Sequence, residues 1–366
     1  MDKDNDYSHP KQVAIFLCYT FPMQNQEFDF IAIGDIVTDA FIKLKEAEVH
    51  CDIKKDTCQI CLNFADKVPY ESVTVLPAVG NSPNAAVAAA RLGLKTALVT
   101  NLGADYHGAE AIAKLESEKV ATDFVTKHEG AKTNYHYVLW YQDDRTILIK
   151  HEKYPYVLPD FALSAGRQGN PQWLYLSSLG EFAFPEYHEK IIEYLESHPE
   201  IKVAFQPGTF QIKAGTEKLA RLYQRTEVFF CNVEEAEKIL KLEIGSEKFE
   251  IKKLLEGIKQ LGPKLVVITD GPKGAYVYDG NETWFGPTYP DPKSPLERTG
   301  AGDAFSATFT ATLALGESVL TALACGPINS MSVVQQVGAQ AGLLSRAELE
   351  KLLATAPEDY KPQKLD

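Results

Sequence analysis

The sequence predicts an α/β protein of three αβα layers, with a mainly parallel central sheet and a small β-sheet lid. Three observations carry this. Apolar runs at residues 173–177, 202–205, 227–231 and 265–269 alternate with helical stretches around 187–195, 234–240 and 251–261. Strands that are apolar throughout and separated by helices belong to parallel sheets covered on both faces. Two other segments, 41–75 and 133–150, alternate with a period of two instead, as strands with one solvated face do. Finally, Gly300-Ala301-Gly302-Asp303 runs into Ala304, Phe305, Ala307, Phe309, Ala311 and Leu313, a composition suited to a buried helix behind a bare backbone loop.

Composition sets the bounds. With 366 residues, 45% of them hydrophobic, the chain is long enough for one large core, and a formal charge of -13 gives no footprint for nucleic acid or an anionic membrane. Six cysteines are too few for a disulfide framework at this length, so reduced thiols and a cytoplasmic location are expected. The apolar patch 13–21 is broken by Cys18, Tyr19 and Thr20 and preceded by acidic residues, which argues against a signal peptide or a membrane span.

In chain order, residues 1–27 are expected to be a polar N-terminal extension. Residues 28–36 read as a buried strand whose apolar part leads into Gly34-Asp35, which sets Asp35 and Asp39 at its end. Ligands collect at such strand ends, so either acid suits sugar hydroxyls, and helix capping is the alternative for one of them. In 41–75, Cys58, Ile60, Leu62 and Phe64 share one face. The Cys58/Cys61 spacing beside His50 and Cys51 invites a zinc reading, but residues three apart in a strand face opposite ways and no glycine lies between them to make a knuckle.

Gly80-Asn81-Ser82-Pro83-Asn84 opens a helix of small residues ending at Gly93; Asn81 and Asn84 suit hydroxyl binding, with Asn84 as a helix cap the other reading. In 133–150, Tyr135, Tyr137, Leu139 and Tyr141 alternate with Asn134, His136, Val138 and Trp140, and Gln142 to Arg145 turns the chain back. Asn232-Val233-Glu234-Glu235 reads as a capping box, or as hard-oxygen ligands near magnesium. Thr269 to Gly274 is a Gly-rich turn between strands. Residues 322–334 read as a helix interrupted at Gly326-Pro327, 337–340 as a loop and 347–353 as a last helix.

At Gly300 to Asp303 a phosphate can approach bare N–H groups at a helix start, with Asp303 beside it as a general base; an ordinary helix cap is the competing reading. Arg298-Thr299-Gly300-Ala301-Gly302-Asp303, Gly80 to Asn84 with Ala90-Arg91-Leu92-Gly93, and Asn232 to Glu235, in this order, resemble the signatures of the ribokinase-like, or PfkB, family of carbohydrate and nucleoside kinases. The resemblance spans residues from about 28 to 353 and implies a kinase domain at 28–358, its lid formed by about 41–77 and 131–151, then a C-terminal tail at 359–366.

The resemblance further implies ATP, magnesium and phosphoryl transfer to a hydroxyl of a small sugar, with a nucleoside as the alternative acceptor and a non-catalytic sensor as the remote one. Asp303 becomes the base, and Gly300, Ala301 and Gly302 the anion hole. Asp35, Asp39, Gly80, Asn81 and Asn84 fall to the acceptor. Asn232, Thr269, Gly271, Gly274 and Asn329 fall to the nucleotide, and Asn232 with Glu235 to magnesium through water. Glu297, Thr299 and Gly338 lie where many members hold a monovalent cation, K+ being the expected one. A homodimer through the lid is an implied assembly. The chain departs from the family pattern at Val79, at Glu297 and at Gln206-Pro207-Gly208.

Overall fold

The computed structural model describes residues 28–52, 57–142, 144–161, 170–242 and 251–365. The expected extension 1–27, the turn residue Asp143 and Cys18 lie outside them. The chain begins with β1 (Phe30–Ile33) and leaves at once for β2 (Val37–Leu44), the hairpin β3 (Glu48–Asp52) and β4 (Thr57–Cys61), and β5 (Tyr70–Val79). It returns through α1 (Asn81–Arg91), β6 (Thr96–Gly103), α2 (Tyr106–Ser117), β7 (Val120–Ala121) and β8 (Val125–His128), then makes a second excursion in β9 (Tyr135–Tyr141) and β10 (Asp144–Leu148). Next come β11 (Trp173–Leu176), α3 (Glu186–Ser197), β12 (Lys202–Phe205), α4 (Thr209–Ala214), α5 (Ala220–Arg225), β13 (Val228–Asn232), α6 (Val233–Ile239) and α7 (Ile251–Gln260). The chain finishes with β14 (Leu265–Thr269), β15 (Ala275–Tyr278), β16 (Thr283–Gly286), α8 (Ala301–Ala314), α9 (Val319–Val333), α10 (Arg346–Ala354) and β17 (Gln363–Leu365).

The large sheet runs β17-β16-β15-β14-β13-β12-β11-β1-β6-β7, parallel from β14 through β7 and antiparallel at the β15 to β17 edge. All four residues of β1 are fully buried because its two faces serve two cores. Phe30 and Ala32 pack with α1, α8 and α9, while Ile31 and Ile33 pack with α3, α5, α6 and α7. That is the three-layer arrangement expected from the apolar runs. The last residues are part of it too: β17 extends the sheet and the Tyr360 hydroxyl donates to the Ala324 carbonyl at 2.5 Å.

The lid is a separate four-stranded sheet in the order β10-β9-β2-β5, with β2 antiparallel to β5 and parallel to β9. Cross-strand partners share a face. Asp39 pairs with His136 and Leu76, and Lys43 with Trp140, which pairs with Arg145. These residues therefore form one face, directed at the cleft, while Tyr137, Val73, Val75 and Leu148 are exposed.

Three local expectations need correction. Helix α9 runs unbroken through Gly326 and Pro327. A Cβ at Gly326 would come within 2.8 Å of the Phe305 ring, so close packing of α8 on α9 outweighs the hydrogen bond that Pro327 removes. Residues 41–75 are not one alternating sheet: the strand ends at Cys61, and Leu62 and Phe64 stand in solvent beyond it. Cys51 and Cys58, directly opposed in the β3–β4 hairpin with Cα atoms 4.0 Å apart, form a disulfide, so these two are not reduced thiols. That bond also takes two of the four residues in the zinc reading that strand geometry disfavours, and no group of three or more His, Cys, Asp or Glu placed to hold a metal ion occurs among the described residues. Nor is any helix among them long and apolar enough to cross a membrane.

Candidate active site

Helix α8 starts at Ala301 because Gly300, at φ 81°, takes the left-handed conformation that begins it. A Cβ there would lie 2.2 Å from the Ala339 Cβ, so only glycine fits under the 337–340 loop. Gly302 is the reverse case. A Cβ on it would meet nothing within 4 Å, and its missing side chain opens space beside first-turn N–H groups that have no acceptor within the helix. Asp303 sits in the same turn and faces inward. Its Oδ2 accepts from Asn84 Nδ2 at 2.9 Å and its Oδ1 from Gln206 Nε2 at 3.1 Å. Burial pushes the Asp303 carboxyl up, and the two amide hydrogen bonds and the Arg145 charge pull it back only in part.

Asn84 is not the helix cap. Helix α1 begins three residues earlier behind Gly80, and the Asn84 side chain crosses from α1 to α8. The start of α1 is pinned to the sheet by Ser82, whose Oγ donates to the Ile33 carbonyl at 2.6 Å and lies 2.5 Å from Ser177 Oγ. Its far end is fixed by Arg91, which donates to Gln340 and Leu343 carbonyls and so holds the 337–340 loop over Gly300.

The two acids after β1 have different environments. Asp35 is committed: Gly180 N–H donates to Oδ2 at 2.7 Å and the Tyr156 hydroxyl to Oδ1 at 2.8 Å, with His151 Nδ1 3.4 Å away. Asp39 is not. Its Oδ1 is buried without a hydrogen bond, 3.6 Å from His136 Nδ1, and burial, helped by the Glu297 charge, pushes its pKa up to about 7. His136 is held down to about 4, mainly by burial, so it is neutral around pH 7 and its buried Nε2 also has no partner. A carboxyl oxygen and an imidazole nitrogen buried without hydrogen bonds under one lid are fitting groups for a polyhydroxylated ligand.

On the other side of Asp303, the ends of β13 and β14 lie side by side, Asn232 in register with Thr269. Asn232 and Glu235 make the capping box: Glu235 N–H donates to Asn232 Oδ1 at 2.8 Å and Asn232 N–H to Glu235 Oε2 at 3.0 Å. Glu235 is raised chiefly by burial, and the Asp303 charge contributes, which joins this corner electrostatically to Asp303. Thr269 leads into the Gly271–Lys273 turn, and Gly274 packs against the Gly286 carbonyl.

Asn329 is fully buried, donates to Thr308 Oγ1 at 2.7 Å and accepts from Leu344 N–H at 2.9 Å, so in this structure its side chain braces α9. Glu297, also buried, clamps two loops by accepting from Thr299 N–H at 2.7 Å and Gly338 N–H at 2.8 Å, while Thr299 Oγ1 is buried without a partner.

Sequence reading missed Arg145, Gln340, Tyr175 and His136 as site groups. Arg145 was read as a turn residue, yet it is on β10 facing the cleft, its Nε buried without a partner. Gln206 was visible only as a departure from the family pattern.

The profile of the pfkB family of carbohydrate kinases matches residues 46–346. Among characterised relatives, the ribokinase of Bacillus subtilis is 26% identical over 297 residues, covering 79% of this chain and 94% of its own. A nucleoside kinase of Methanothermobacter thermautotrophicus is 25% identical over 287 residues, covering 77% and 86%. Among solved structures, Arabidopsis thaliana ribokinase complexed with ribose and ATP superposes with a TM-score of 0.71 at 18% identity, covering 90% of this chain and 99% of that one.

Proposed function

The chain belongs to the pfkB family of carbohydrate kinases and is a phosphotransferase, and from that membership we propose that it transfers the γ-phosphate of ATP to a hydroxyl of a small carbohydrate. One observation carries the reading: a half-buried carboxylate, Asp303, held by two amides at the opening of a helix whose second residue, Gly302, leaves room for a phosphate. In the step, the acceptor hydroxyl gives its proton to Asp303, its oxygen bonds to the γ-phosphorus, and the bond to the β-phosphate oxygen breaks, releasing ADP. Phosphoryl transfer asks the protein mainly for alignment and charge neutralisation. First-turn N–H groups and Arg145 supply the second, and Asp39, Asn81 and Asn84 the first.

The donor set fits the expected ions. Asn232 and Glu235 offer hard oxygens for magnesium and its waters, and magnesium supplies neutralisation of the phosphates. Thr299 Oγ1, buried without a partner beside Glu297, is the oxygen a monovalent cation would use; a potassium titration of activity tests it. A nucleoside acceptor is favoured by a different observation, the Trp140 and His136 rings on the cleft face of the lid, onto which a base would stack. Exposed Tyr137, Val73, Val75 and Leu148 on the opposite face support a lid-to-lid homodimer, tested by mass in solution.

A panel of ribose, fructose, ketodeoxygluconate and adenosine, run with ATP and with ADP, separates these readings. Asp303→Asn is expected to bind ATP normally and lose roughly a hundred- to ten-thousandfold in turnover; turnover within a few-fold of the parent removes Asp303 as base.

A further inference from the structure

We propose that Tyr175 and Gln340, which touch neither acceptor nor phosphate in this scheme, are positioning residues that fix the direction of the two amides holding Asp303. The proposal rests on Asp303 being the base.

An ionised carboxylate only accepts hydrogen bonds, so Asn84 and Gln206 must both turn N–H towards Asp303, and they do. Each amide then turns its carbonyl oxygen the other way, where a buried acceptor needs a donor. Each has one. Asn84 Oδ1 accepts from Gln340 Nε2 at 3.0 Å, and Gln206 Oε1 accepts from the Tyr175 hydroxyl at 2.5 Å.

The outer donors are held in place. Burial keeps the Tyr175 hydroxyl protonated, so it retains a hydrogen for Gln206 throughout the working range. Gln340 Nε2 also donates to the Ala78 carbonyl at 2.7 Å, which fixes the direction of its amide, and its main chain is held by Arg91. The result is a five-residue relay, Gln340 to Asn84 to Asp303 to Gln206 to Tyr175, in which both inner amides donate to the carboxylate.

Loss of an outer donor has a directional consequence. Without the Tyr175 hydroxyl, the Gln206 carbonyl loses the donor that polarises its amide and anchors its direction. The N–H facing Asp303 then stabilises the ionised carboxylate less, so the base takes up its proton at higher pH. A glutamate at 206 does the same more strongly, because two carboxylates about 3 Å apart cannot both ionise freely.

The test is the titration of the Asp303 carboxyl carbon by NMR in aspartate-labelled protein, its signal assigned by its loss in Asp303→Asn. Tyr175→Phe and Gln340→Met are each expected to move the midpoint upward by about half to one pH unit, and Gln206→Glu by more than one. The acid limb of kcat for the acceptor found by the panel should move with it, while the ATP KM stays put. ATP protection in thermal melts shows which variants are folded; if Tyr175→Phe is not, the other two decide. Midpoints equal to the parent's in the folded variants overturn the proposal, as does a loss of turnover equal at every pH. Failure of the base reading is distinct: there Asp303→Asn keeps its turnover, whatever the titration shows.

Discussion

The body and the lid put the same residue types to opposite uses. In β1, β11 and β6 every described side chain is buried, because helices cover both faces of the sheet. In β5 the first six residues are exposed, and the lid sheet has a cleft on one face and solvent on the other. The body thus has a continuous two-sided core that fixes Asp303 and the ends of β13 and β14. Among the described residues the lid is covered by helix only where α2 meets it, and its cleft face carries three buried polar atoms without hydrogen bonds, Asp39 Oδ1, His136 Nε2 and Arg145 Nε. The comparison separates stability from selectivity: substitutions in the body should register in folding, and those on the lid in kinetics.

The sharpest attempt to break this division is Phe309→Ala, where a fully buried ring between α8 and β13 is removed. It is expected to cost about 3–5 kcal/mol in denaturant unfolding; a cost below about 1 kcal/mol would mean that the two-sided core does not hold the fold. If Arg145 neutralises the phosphates as proposed, Arg145→Ala should leave unfolding nearly unchanged and lower kcat about a hundredfold by removing the positive charge that acts on Asp303. A normal kcat with a lost melting temperature would reverse the roles assigned to lid and body.

The Asp39 prediction is smaller and has a sign. Its folded pKa of about 7 lies above the unfolded value of 3.8, so the folded chain binds the extra proton, and stability from this group falls as pH rises from about 4 to 7. Acceptor binding goes the other way. The ionised carboxylate is the better hydroxyl acceptor, so the acceptor KM should fall about tenfold between pH 6 and 8. Asp39→Asn should flatten that dependence; an unchanged slope would assign it to another group. Smallest of all, Val73→Ser on the outer lid face should shift monomer stability by less than about 0.5 kcal/mol. A fall in solution mass to the monomer in that variant would support the lid as a dimer surface.

Much of this division was legible in the sequence. Continuous apolar runs meant burial on both faces, and period-two stretches meant one open face, so the layers and the lid followed from patterning alone. The Gly300 to Asp303 turn was legible because few residue types allow that backbone. Pro327 misled because a local rule met a helix buried all round, where packing decides. Phe64 misled because alternation was extended past the end of its strand. The relay around Asp303 was illegible for another reason: Tyr175, Gln206 and Gln340 lie on three elements far apart in the chain, and no local pattern links an amide's direction to a hydroxyl 31 residues away. Asn329 looked like a ligand residue by position, and only its two internal hydrogen bonds reveal the brace.

The pairing of β2 with β9 has a practical consequence for redesign. These two strands sit side by side at the centre of the lid, yet α1, β6 and α2 come between them in the chain. The lid is therefore no insertable cassette. Transplanting acceptor preference from a relative takes two grafts, one over 37–79 and one over 135–148, cut so that the Asp39 to His136 register survives both.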